Sequence, residues 1–189
     1  MTVTKQIDRR FIEDSFPIRA VSIESAREKA IRQGHIATLH IWWARRPLVA
    51  SRAINYAALI PAPKDDERDN VTKFITEMAR WQNSNNSNIL ERAKKDIIKA
   101  NNDVPPKVLD PFSGGGSIPL EALRLGSETY ANDYNPVATL MLKCAVEYPQ
   151  KYSEKTYKSP SLVNEGKGNS LRYDVNRCCL LYTSDAADE

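Results

Sequence analysis

"KVLDPFSGGGSIPLEALRLGSETYANDYNP", residues 107–136, is the stretch that decides the fold. "KVLD" is short, apolar and bounded, as a buried parallel strand would be. Three glycines follow, and then a helix in which Pro119 occupies the first turn, Leu120, Ala122 and Leu123 face a sheet, and Gly126 supplies the stop. "ETYAND" reads as a second strand, and "PVATLMLKCAVEY" as a second helix stopped by Pro149. Strand, glycine turn, helix, strand, helix is the opening of a doubly wound α/β sheet. Glycine lets a ligand approach the backbone amides at a helix N-terminus. Asp133 stands 17 residues past Gly116, at the second strand's end, where an acidic residue can meet a nucleotide ribose.

Upstream, the chain reads as mostly helical. Ser22 can cap a helix with Ile23, Ala26, Ala30 and Ile31 inward and Gly34 as its end. "HIATLHIWW" is apolar and bounded, without a clear period. Pro47 suits the first turn of a helix through "LVASRAINYAALI", which the Pro61-Ala62-Pro63 breaker closes. "KDDERDN" reads as a charged connector. Val71, Phe74, Ile75 and Met78 then mark one helix face, "NSNNSN" at 83–88 an exposed loop, and Ile89 or Leu90, Ala93, Ile97 and Ile98 the face of a further helix. Pro105-Pro106 separates a helical N-terminal domain, residues 1–104, from the start of an α/β domain, residues 105–178.

Composition limits the function classes. The chain has 189 residues, 41% hydrophobic and 27% charged, as an ordinary globular protein does. No apolar run approaches the roughly 20 residues of a membrane span, and the start is polar, which predicts a cytoplasmic protein with no membrane partner. Cys144, Cys178 and Cys179 form no C-x-x-C pair, so no metal site is expected. "CLLYTSDAADE", residues 179–189, breaks the preceding pattern and reads as a non-native, adapter-derived tail. Without its Asp185, Asp188 and Glu189, the formal charge rises from +3 to +6. That surplus permits an anionic partner but does not demonstrate one, because a charge surplus is more often just a solvated surface.

Three nucleotide ligands compete for the glycine turn. A phosphate loop needs Lys-Ser or Lys-Thr after its glycines, and none follows here. A dinucleotide fingerprint needs glycine at 119, where proline stands. The third is S-adenosylmethionine, through a resemblance: "DPFSGGGSIPLEAL" is similar to motif I of amino-methyltransferases acting on nucleic acid, and "NDYNPVA" to the end of their second strand. Residues 9–63 resemble the N-terminal domain that opens adenine-specific DNA methylases containing a zinc ribbon.

The resemblance implies a Rossmann-like class I methyltransferase fold, cut short after two strands, and S-adenosylmethionine as the cofactor. By it Asp110 is the motif I acid, Pro111, Phe112 and Ser113 shape the turn, and Gly114, Gly115 and Gly116 give backbone clearance. Asp133, with Asn135 beside it, is the candidate for the ribose hydroxyls, a charge-assisted bond contributing about 1.5–3 kcal/mol. His40, Trp42, Trp43, Arg45 and Arg46 become candidates for the target pocket or for nucleic acid. Arginine suits phosphates and tryptophan offers a stacking face, although core anchoring and solvation would also account for these residues.

Amino-group methylation in this family uses [Asp/Asn/Ser]-Pro-Pro-[Tyr/Phe/Trp], which polarises the amine of a flipped base. Pro105-Pro106 lies between Val104 and Lys107 and lacks both flanking partners. The catalytic motif and the zinc-ribbon cysteines are therefore expected beyond a break near Arg177, and this polypeptide is expected to be inactive by itself. The implied function is methylation of adenine in DNA. An RNA amino-methyltransferase and a non-catalytic nucleic-acid-binding module are the alternatives.

Overall fold

The computed structural model describes residues 9–31 and 41–152. His40, Gly34, most of "HIATLHIWW", the polar segment after Tyr152 and the tail at 179–189 lie outside the described residues.

The helical part is organised around one helix. Helices α1 (Phe11–Asp14), α2 (Ile18–Ala30), α4 (Asp65–Ala79) and α5 (Ser87–Ala100) all pack on α3 (Leu48–Leu59). Helix α3 can be surrounded because its alanines keep it slim: Ala53 and Ala57 are buried, as are Val49 and Tyr56. Phe11, Phe74, Ile75, Met78, Ala93 and Ile97 close the core around it. Tyr56 meets Phe74 edge-on at 5.4 Å, and Arg92 covers the other ring with its guanidinium 4.0 Å from the Phe74 centroid.

The start of α3 is held by a side chain from another helix. Glu28 on α2 is buried and accepts the amides of Leu48 at 2.8 Å and Val49 at 2.9 Å, two of the donors a helix N-terminus leaves unpaired. Burial pushes its carboxyl above the usual glutamate range, and the two amides oppose that shift.

Helix α2 itself corrects the expectation drawn from Ser22. It begins at Ile18, after Pro17, and the inward positions are Val21 and Glu28, seven residues apart. Ile23, Ala26 and Ala30 are exposed. An apolar stripe could not reveal a face whose second anchor is a carboxylate.

"KDDERDN" is not a connector. Asp65, Asp66 and Glu67 form the first turn of α4, where negative charge complements the helix dipole. Arg68 pairs with Asp65 at 2.8 Å and with Asp14 at 2.9 Å. The "NSNNSN" loop is shorter than expected. Asn83 closes a 3₁₀ turn (Trp81–Asn83), and Asn86 caps α5 through the amides of Asn88 and Ile89.

The α/β part is a parallel pair, β1 (Lys107–Asp110) and β2 (Glu128–Ala131), with Leu109 opposite Tyr130 in register. The crossover helix α6 (Ser117–Arg124) covers one face and also packs along α3. "KVLD" was expected to be buried, yet Leu109 is 67% exposed, because among the described residues no element covers the second face of the pair.

The last described helix continues through the expected stop at Pro149. Helix α7 (Pro136–Leu142) passes into a π-turn (Lys143–Glu147) and then α8 (Tyr148–Tyr152). The wider i→i−5 spacing, with the Tyr148 amide on the Lys143 carbonyl, alters the turn just before Pro149, where a proline ring would clash in a regular helix. Among the described residues no helix is long and apolar enough to cross a membrane.

Candidate functional site

The turn after β1 is built by its own side chains. Asp110 accepts the Phe112 amide on Oδ1 at 3.2 Å, and its carbonyl accepts the Ser113 hydroxyl at 2.9 Å. The ladder with β2 continues past the strands: Asn132 donates to the Asp110 carbonyl, and Ser113 donates to the Asn132 carbonyl, each at 3.0 Å. Gly114 at φ +50° and Gly116 at φ +79° then take left-handed conformations, which side-chain-bearing residues rarely adopt. The Gly116 amide donates to the Ser113 carbonyl at 2.8 Å, which closes the turn into α6.

Asp133 joins the two strand ends. Its Oδ2 accepts the Gly114 amide and its Oδ1 the Asn135 amide, both at 2.8 Å. The Asn135 amide first, and the Gly114 amide second, hold the Asp133 carboxyl below the ordinary aspartate value of 3.8. The Asn135 side chain accepts the Val137 amide at 2.9 Å and so caps α7. The Gly114 amide is thus already engaged, by a carboxylate that keeps a second acceptor position on each oxygen.

Of the N-terminal candidates, Trp42 and the backbone of Arg46 arrive at the same place. A methyl group built on Gly114 would lie 2.5 Å from the indole nitrogen of Trp42, and one on Gly115 would lie 3.1 Å from Trp42 Cβ. Gly116 faces Leu142 of α7, 3.0 Å from such a methyl. Part of what the glycines clear is therefore room for Trp42. Trp43 stacks obliquely on Trp42, with centroids 4.9 Å apart, and is itself 85% exposed. Arg46 contributes its carbonyl, which accepts the Ser117 hydroxyl at 2.8 Å on the first residue of α6. Arg45 is half-buried and the Arg46 side chain is exposed. Phe112 at 81% and Tyr134 at 98% exposure flank Asp133 and the turn in sequence with open aromatic faces.

Sequence reasoning missed the buried charges beneath this site. Arg52 on α3 and Glu121 on α6 are 1% and 0% exposed, with Nη1 and Oε2 3.7 Å apart. Arg124 reaches the other Glu121 oxygen at 2.7 Å. Asn55, also on α3, donates to the Ile118 carbonyl at 3.0 Å. The available signal was a lone arginine in the apolar helix "LVASRAINYAAL" and a glutamate among the apolar residues of "SIPLEALR".

Two family matches bear on the site. Residues 15–84 match a family of proteins of unknown function (DUF1156), and residues 80–173 match the D12 class of N6 adenine-specific DNA methyltransferases. The second match contains the whole glycine turn, Asp133 and Asn135. It supports a DNA methyltransferase family. No curated protein and no solved structure matches the chain. The region similar to these methyltransferases begins at residue 80, so Trp42 and Arg46, which touch the turn, come from the other matched region.

Proposed function

We propose that this chain carries the cofactor-holding part of an S-adenosylmethionine-dependent methyltransferase that acts on the exocyclic amine of adenine in DNA. The observation that supports it most is the bond from Gly114 to Asp133, which brings the glycine turn and the carboxylate together at the carboxyl ends of two parallel strands. Open α/β sheets take their ligands at that edge.

The donor set fits the ribose end of such a cofactor. Asp133 is only half-buried, stays ionised, and has acceptor positions left for two hydroxyl donors beside the amides it already holds. Trp42 forms the wall over Gly114 and Gly115, and the exposed rings of Phe112 and Tyr134 offer flat apolar surface nearby. S-adenosylmethionine would supply an already activated methyl group, so the chain's part is to bind it, orient it and keep water from it.

The polarising motif for the amine is placed outside this polypeptide, and the uncovered face carrying Leu109 and Tyr130 supports further strands and helices completing the sheet. The zinc ribbon and the division at residue 104 remain part of the same proposal. The full-length gene product, incubated with methyl-labelled S-adenosylmethionine and unmethylated duplex DNA, is expected to yield labelled N6-methyladenine after digestion to nucleosides. Label only in RNA, or none, would sink the DNA reading.

A further inference from the structure

A polar cleft of ≈ 360 Å³ opens between α2 and the 3₁₀ turn at Trp81–Asn83, far in sequence from the glycine turn, and is lined by Glu24, Arg27, Arg80, Gln82 and Asn83. Glu24 and Arg27 are three residues apart on α2 and so share a face. Among the described residues neither Arg27 nor Arg80 has an ion-pair partner. Glu24, in the same cleft, pairs with neither arginine and instead accepts the Trp81 amide on Oε2 at 3.1 Å. Two guanidiniums without a carboxylate partner, beside two side-chain amides, form a donor-rich surface suited to an anion.

The wall of the cleft is fixed from below. Asn83 donates to the Glu77 carbonyl at 2.9 Å. The next residue, Ser84, has its carbonyl held by Arg52 at 3.2 Å and also by Arg124, and Asn85 Oδ1 accepts from Arg124 at 3.0 Å. Those arginines are the ones that meet Glu121 on α6, so the turn's position is set by the helix that follows the glycine turn. Residues 80–84 belong to both family matches, and the cleft therefore lies at their seam.

We infer that this cleft binds a backbone phosphate of DNA, with Arg27 and Arg80 as the phosphate donors and Gln82 and Asn83 beside them. The site assigns a role to the region matching a family of unknown function: it grips the duplex away from the target base and contributes affinity and register, but no sequence choice. The inference rests on the DNA-substrate reading for its ligand, but not on the cofactor.

The test is binding of this chain to a short duplex across a range of salt concentrations, for the parent, Arg27→Gln, Arg80→Gln and the double variant. Lys95→Gln/Lys99→Gln, on exposed positions of α5, is the control for charge alone. The double variant is expected to lose about tenfold in affinity and to flatten the slope of log K against log salt by about 1–2, as two lost phosphate contacts would. Each single variant is expected to give roughly half of the slope change, and the control less than either.

An unchanged slope in the double variant, no duplex binding by the parent, or an equal effect from the control overturns the inference. Inorganic phosphate serves as the second probe: a variant that loses phosphate binding yet keeps its duplex affinity also overturns it. Calorimetry with S-adenosylmethionine on the same samples separates the two readings. A parent without cofactor heat, but with the slope change, ends the cofactor reading and keeps the cleft. Cofactor heat with no slope change does the reverse.

Discussion

Glu121→Leu is expected to destabilise the protein by about 3–5 kcal/mol, the cost of leaving a buried charge without its partner. Glu121 is fully buried and is the only carboxylate among the described residues within ion-pair distance of Arg52. Arg124, the second guanidinium on Glu121, is partly exposed and can turn to water. Arg52 cannot. Its Nε has no hydrogen-bond partner among the described residues, and its remaining contacts are the carbonyl of Ser84 at 3.2 Å and the hydroxyl of the same residue at 3.4 Å.

Burial pulls the Arg52 guanidinium below its ordinary pKa, and Glu121 is the largest influence opposing that shift. Arginine stays protonated even so, and the cost falls on folding. Urea unfolding should show a lower midpoint with an unchanged slope. The double variant Arg52→Met/Glu121→Leu should recover most of the loss, because an apolar pair of similar volume needs no desolvated charge. A loss under about 1 kcal/mol in the single variant would mean that Arg52 reaches water and that the α3–α6 junction is looser than its burial indicates.

Gly114→Ala is expected to damage the site most. At φ +50° an L-residue is strained by about 1–3 kcal/mol, and the added methyl would also lie 2.5 Å from the Trp42 indole nitrogen. A rigid, half-buried ring cannot yield as the end of a lysine could. Trp42 must shift, or the turn must open and release the Gly114 amide from Asp133. S-adenosylmethionine affinity should fall at least about tenfold, the equivalent of one lost charge-assisted hydrogen bond. Adding Trp42→Ala removes the collision but leaves the backbone strain, so stability should return only in part. Gly115→Ala, with 3.1 Å to Trp42 Cβ, should be milder. A Gly114→Ala protein as stable as the parent would refute the packing of Trp42 on the turn.

These two sites also mark how far the sequence could be read. The order β1, glycine turn, α6, β2, α7 was legible because each piece has a local cause: a short apolar run, three glycines, a proline near a helix start. The Phe74, Ile75 and Met78 face of α4 was legible through its period, and the spacing from Gly116 to Asp133 located the carboxylate at the strand end. Which partner Asp133 takes was not legible, since the Gly114 amide becomes its neighbour only when the two strand ends meet.

The misreadings have distinct physical reasons. Charge at residues 64–70 was read as the mark of a connector, whereas the acidic residues, exposed as they are, open α4. Charge was passed over at Glu28, Arg52 and Glu121, where burial is offset by amides or by an opposite charge. Pro149 was read as a stop, because a π-turn leaves no mark in composition. Trp42 and the glycines lie about 70 residues apart, and only the packing of α3 on α6 brings them together.

Amide and indole resonances followed during titration with S-adenosylmethionine test the central claim most directly. The amides of Gly114, Gly115, Gly116 and Asn135 and the indole N–H of Trp42 are expected to shift together and saturate, while NADH and ATP leave them in place. Resonances at the glycine turn that stay fixed with S-adenosylmethionine, but move with either of the other nucleotides, would contradict the account.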